Sequence, residues 1–263
     1  MAENPLAPRI KVSIEERIAV IRLADPERRN AMSLAMREQC VHALRGMEER
    51  DEVDAVVFTG DGDKAFSAGA DINEVATRTV AGELSTKAQL RRELPRLVES
   101  MRMPTVAAIN GYCLGAGLEL ALACTLRIAA QDAMLGLPEI NLGVIPGSGG
   151  TQRLTRMVGV GRAMELVTLG EPIDAQEAFR IGLVNRVCPP AELLAVALDM
   201  CRKWQAKGPV SLMAARDAVL RSPDLDLAAG LDYENKLFAL AIASGERDEG
   251  VAAFREKRKP KFR

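Results

Sequence analysis

Two short apolar runs, DAVVFTG at residues 54–60 and PTVAAING at 104–111, constrain the fold most. Each is too short for a stable helix and stops at a glycine. Runs that are apolar on both faces mark strands buried in a parallel sheet. Parallel strands need a long crossover between them. The chain supplies one, because residues 75–103 read as a heavily charged helix, interrupted at Pro95.

The same alternation extends in both directions. KVSIEER and IAVIRLA read as two strands of a hairpin turning around residues 15–17. Ile18, Val20 and Arg22 fall on one face of the second strand, and Ala19, Ile21 and Leu23 on the other. Ser33 is placed to cap a helix running to about Arg50. A further helix starts near Ala116, and strands follow at 126–130 and 134–136. From Gly150 the pattern is helical, with segments at 151–158, 161–169, 174–181, 191–207, 209–220, 227–244 and 247–254. Strands and helices alternate first and helices follow, which predicts an α/β fold with a parallel-rich sheet. There is no low-complexity linker and no repeat of fixed period.

With 48% apolar residues, the 263-residue chain can bury a sizeable core. A net charge of −1 gives no global field to steer it onto nucleic acid or an acidic membrane. No apolar run is long enough to span a bilayer, and MAENPLAPRI has the pattern of neither a secretory signal nor a transit peptide. A cytoplasmic enzyme is expected, with a matrix protein relieved of its presequence as the alternative. The five cysteines are odd in number and form no CxxC pair, so they read as buried thiols rather than disulfides or zinc ligands. His42 is the single histidine and lies far from every Gly-rich segment. Mechanisms built on a histidine triad or a multi-histidine metal site are therefore disfavoured.

Three Gly-rich segments remain as candidate chemistry. GYCLGAGLEL (111–120) follows a strand and opens a helix, as a dinucleotide fingerprint would, but lacks the third glycine of GxGxxG. No GxxxxGK[ST] phosphate loop occurs. A different use fits better. Ala116 stands near a helix N-terminus, where free N–H groups and the positive end of the helix dipole can hold a developing oxyanion. Glu119 lies about one turn along the same face. FSAGAD (66–71) is a loop of small residues that lets a backbone N–H approach a ligand. PEINLGVIPGSGG (138–150) presents Glu139 among Leu137, Pro138 and Ile140, surroundings that raise a carboxyl pKa toward the range of general acid–base catalysis.

Together, KAFSAGADI (64–72), PTVAAINGYCLGAGLELALAC (104–124), GLPEINLGVIPGSGGTQRL (136–154) and FREKR (254–258) resemble the enoyl-CoA hydratase/isomerase, or crotonase, superfamily nearly end to end. The resemblance implies a spiral core of ββα units over residues 1–200 and a C-terminal helical lid or trimerisation region over 201–263. It implies homotrimers, commonly paired into hexamers. It places the catalytic carboxylates on Glu119 and Glu139, and the oxyanion-holding N–H groups on Ala68 and Ala116. It assigns coenzyme contacts to Arg28, to the loop Ala68, Gly69, Ala70 and Asp71, and to Phe254 and Lys257 in the tail. Gly147 falls where the family sets a helix dipole beside the site. No cofactor beyond the coenzyme A moiety of the substrate is implied, and no metal. Two positions depart from the common pattern: Ala116 replaces a usual glycine and Thr125 a usual aspartate.

The implied reaction adds water to C3 of a 2-trans-enoyl thioester while charge gathers on the thioester oxygen. Glu119 would mainly hold and activate water, and Glu139 would mainly deliver the proton to C2. Carboxylates at both positions favour hydration over double-bond isomerisation. The alternatives are an isomerase and a branched-chain, 3-methylglutaconyl-type hydratase, for which Arg78, Arg91 and Arg92 could meet a second carboxylate. The basic tail KRKPKFR raises RNA binding as a non-enzymatic side role, for which a salt-sensitive, nonspecific affinity is expected.

Overall fold

The computed structural model describes residues 9–262. The first eight residues of the N-terminal segment read above for a leader lie outside that range. The hairpin forms as expected from β1 (Ile10–Glu15) and β2 (Ile18–Leu23). Glu16 and Arg17 turn it with φ of 50° and 60°, the left-handed pair that matches strand twist in a two-residue loop. Arg17 is tied down by its guanidinium, which donates to the Asp51 carbonyl at 2.7 Å and to Asp54 at 3.1 Å. Helix α1 (Leu34–Glu49) follows, with Ser33 Oγ accepting the Met36 N–H at 3.3 Å.

Three successive turns then share one plan. β3 (Ala55–Gly60) and β4 (Ala65–Ser67) lead to α2 (Ile72–Ala76), α3 (Val80–Glu83) and α4 (Thr86–Ser100). β5 (Thr105–Ile109) and β6 (Tyr112–Leu114) lead to α5 (Ala116–Ala123), and β7 (Leu126–Ala130) and β8 (Met134–Gly136) lead to α6 (Gly150–Leu169). The first strand of each turn joins a six-stranded sheet and the second a four-stranded sheet. That is the expected ββα spiral. β9 (Ile173–Asp174) completes the smaller sheet, α7 (Ala175–Arg180) follows, and β10 (Arg186–Cys188) edges the larger one. α8 (Leu193–Gln205), α9 (Pro209–Arg221), α10 (Leu227–Ala243) and α11 (Glu246–Arg255) end the chain.

From β2 to β7 the larger sheet is buried on both faces, whereas its edge strand β1 is exposed. Ala19, Ile21, Val56, Phe58 and Ala107 join the main core with α1, α4 and α5. Ile18, Val20, Val57, Val106 and Ile128 meet Leu193, Ala197 and Cys201 of α8. The alternation read in β2 therefore separates two cores rather than a core from solvent. The expected division at residue 200 falls inside α8, whose Cys201 is fully buried against the sheet. The helices that pack chiefly on each other begin at α9. No helix among the described residues is long and apolar enough to cross a membrane.

One local expectation is corrected. Residues 75–103 do not break at Pro95, which sits inside α4; the breaks fall between α2, α3 and α4. A proline here removes the N–H that would bond the carbonyl four residues back. That carbonyl, of Arg91, instead accepts the Arg37 guanidinium at 2.7 Å. The lost helical bond is replaced, so the helix continues.

Candidate active site

Glu119 occupies the first turn of α5 and is only 2% exposed. Its Oε1 accepts the backbone N–H groups of Ser148 at 2.6 Å and Gly150 at 3.0 Å. These donors lie at the entrance of α6, so the carboxylate sits on that helix's positive end. Both donors meet Oε1, and Oε2 takes no hydrogen bond from the described residues. Gly150 must be small here: a Cβ would lie 2.8 Å from Pro146 Cβ and 3.2 Å from Glu119 Cγ.

Glu139 reaches the same cleft from a 3-10 turn, Pro138–Leu142. Its Oε2 is buried without a hydrogen-bond partner. Burial pushes its pKa up to about 7, the negative charge of Glu119 adds to the rise, and its own backbone N–H works against it. Gly115 lies against Glu139, with φ 50° and ψ −122°, a conformation that L side chains rarely adopt. A Cβ there would stand 3.0 Å from Glu139 Oε1.

Ala116, the first residue of α5, lines this cleft, and the N–H of a first helical residue has no partner within its helix. Its torsions are not left-handed, so alanine is tolerated where the family favours glycine. The second expected donor is corrected. The N–H of Ala68 already donates to the Arg29 carbonyl at 2.9 Å. Gly69 donates to Ser67 Oγ at 3.3 Å. The N–H of Ala70 meets no acceptor among the described residues, and Ala70 lines the cleft beside Ala116. Gly147 also lines it, but its carbonyl accepts Arg92 Nε at 3.2 Å, and the N–H groups at the α6 entrance that are used belong to Ser148 and Gly150.

The remaining expected contacts divide. Asp71 is buried and caps α2 by accepting the Asn73 N–H at 2.8 Å, while Arg28 pairs with it at 3.6 Å. Phe254 is 86% exposed at the end of α11, and neither it nor Lys257 lines the cleft that holds the two glutamates. Thr125, in place of the usual aspartate, exchanges hydrogen bonds with Thr105, each backbone N–H donating to the other hydroxyl at 3.1 and 3.0 Å.

One residue was not singled out from the sequence. Arg37 is 3% exposed, lines the cleft and lies close enough to feel the charge of Glu119. Burial pushes its pKa down to about 10, so it stays charged at neutral pH. A signal existed. Arg37, Val41 and Leu44 recur at helical spacing, which puts a guanidinium on the buried stripe of α1.

The family model described as enoyl-CoA hydratase/isomerase matches residues 13–263. The chain belongs to that family. It is 42% identical over 96% of its length to a 2,3-dehydroadipyl-CoA hydratase of Escherichia coli, covering 97% of that protein. It is 39% identical to a crotonyl-CoA hydratase of Syntrophomonas wolfei, over 94% of this chain and 95% of that one. A crystal structure of an enoyl-CoA hydratase from Bacillus anthracis superposes with a TM-score of 0.92 at 39% identity, over 97% of this chain and 99% of that one. As a member of the family the chain is an enzyme of the hydratase type, a lyase, with crotonase-like architecture.

Proposed function

We propose that the chain hydrates 2-trans-enoyl-CoA to 3-hydroxyacyl-CoA with Glu119 and Glu139 as the proton-handling pair. The observation that carries this reading is the contrast between the two carboxyls in one cleft: one fixed by backbone donors, the other buried with an oxygen unpartnered. The thioester oxygen would accept the N–H groups of Ala70 and Ala116, which polarises C3 toward attack. Glu119 Oε2 would orient the water and take its proton. Glu139, with a pKa raised to about 7, would give a proton to C2. Coenzyme A enters as part of the substrate, and the chemistry asks for no other group. A cytoplasmic setting suits such a substrate.

The same reading makes the working unit a homotrimer or a pair of trimers. α10 buries none of its residues and exposes Leu227, Leu231 and Phe238. Apolar surface of this kind marks an interface. Phe254 and Lys257 would then meet coenzyme held by a neighbouring copy.

The test is loss of enoyl-thioester absorbance with crotonyl-CoA. Glu119→Gln and Glu139→Gln should each lower the rate about 10²–10⁴-fold with thioester binding retained. Full activity in either variant would exclude the two-glutamate mechanism.

A further inference from the structure

The lining of the cleft has an uneven character. Ile72, Val75, Leu142, Val144 and Ile145 give an apolar side. The same cleft is also lined by Arg37, Arg78, Arg91 and Arg92. A hydrocarbon tail needs the first set and gains nothing from the second. Guanidinium groups drawn out of water need an anion or hydrogen-bond acceptors.

Inside the protein that need is met poorly. A single carboxylate, Glu83 at the end of α3, contacts three of the arginines. It hydrogen-bonds Arg91 Nη2, while Arg78 and Arg92, both partly exposed, stand off at 3.7 Å each, and Arg92 Nε has only the Gly147 carbonyl at 3.2 Å besides. The fourth, Arg37, donates through Nε to the Met32 carbonyl at 3.3 Å and through Nη1 to the Arg91 carbonyl and, at 3.5 Å, to Ser148 Oγ, and its Nη2 meets no acceptor among the described residues. Even with Glu83, Glu119 and Glu139 all ionised, four arginines leave the cleft one positive charge in excess.

We propose that this arginine cluster receives a second carboxylate, carried on the acyl chain of the enoyl thioester, and that Glu83 occupies its place in the unliganded protein. The proposal rests on the hydratase reading and names its substrate class: a short acyl group whose methylenes lie on the apolar side and whose far end is anionic. Glu83 then acts as a stand-in. It keeps the guanidiniums paired when the cleft is empty and yields when a better-placed carboxylate arrives. Arg91 is central, because its side chain holds Glu83 and its carbonyl holds Arg37.

The experiment compares trans-2-hexenedioyl-CoA with trans-2-hexenoyl-CoA, which differ only in the terminal carboxylate. Wild type should show about a tenfold or greater preference in kcat/KM for the carboxylated thioester, expressed mainly in KM. Arg91→Met should reduce that ratio about tenfold, and Glu83→Gln should raise it by removing the competing anion. Arg78→Met, at a more exposed site, repeats the test should Arg91→Met fail to fold. Calorimetry with the saturated pair, hexanedioyl-CoA and hexanoyl-CoA, reads the same preference without turnover. Preferential binding of the diacid in the absence of any hydration would remove the hydratase reading and leave the carboxylate site standing. Equal or weaker binding and turnover of the diacid, or an unchanged ratio in both arginine variants, would overturn the site.

Discussion

Glu119 and Glu139 reach one cleft from two different kinds of backbone. The first stands on a helix whose every residue is buried and is pinned by N–H groups from a second helix. The second stands on a five-residue 3-10 turn with no buried residue and keeps an oxygen without a partner. A carboxylate fixed by donors is an acceptor of defined direction. A carboxyl denied donors holds its proton longer. The difference teaches that the two glutamates are separated by what their backbones supply, not by their own chemistry.

That contrast can be broken most forcefully at Glu119. Glu119→Ala removes the acceptor for two N–H groups and should cost about 2–4 kcal/mol of unfolding free energy. Glu139→Ala releases only its own backbone N–H and should cost clearly less, so chemical denaturation of the two variants side by side reads the asymmetry directly. Equal losses would mean that the α6 entrance finds other acceptors. Next in size is Gly115→Ala, which forces a side chain into a conformation it rarely adopts and toward Glu139 Oε1. About 1–3 kcal/mol of strain is expected, with a fall in kcat exceeding any rise in KM. Gly150→Ala should act on the other partner, shifting Glu119 through its Cγ and again lowering kcat first; unchanged turnover would show that the α6 entrance yields.

A further effect is one of pH. Glu139 has a folded pKa raised to about 7 from an ordinary value near 4.5. Its protonated form therefore favours the folded state, a contribution fully present below the unfolded pKa and lost as pH climbs through about 7. Thermal midpoints of wild type should fall relative to those of Glu139→Gln between about pH 4.5 and 7, and level off above. A constant difference across that window would mean that Glu139 is ionised throughout.

Much of this was legible beforehand, and what was not has a physical cause. Short apolar runs ending in glycine revealed the buried strands, because two-sided burial leaves no alternation to read. Their spiral arrangement came from resemblance, since the same runs suit a flat doubly wound sheet. Glu119 and Glu139 could be named because small residues and helix starts surround them. The oxyanion donor was placed on Ala68, whereas Ala70 has the free N–H. A string of small residues does not say which amide turns outward; that depends on Arg29, whose carbonyl takes the Ala68 N–H. Pro95 was read as a break because the acceptor's alternative partner, Arg37, lies on another helix. Arg37 itself was overlooked because helical spacing was used to find apolar residues and not a charge among them.

The proline in α4 has a wider consequence. A missing hydrogen on one nitrogen leaves the Arg91 carbonyl vacant, and Arg37 plugs into that socket. The peptide unit of Arg91 thus faces Arg37, near Glu119, while its side chain holds Glu83. A change in what the side chain grips moves the same atoms that anchor Arg37. On the proposed reading, sensing of the substrate's far end and the electrostatic setting of its reacting end would be soldered together at one residue, and substitutions of Arg37, Arg91 and Pro95 should fail to combine additively.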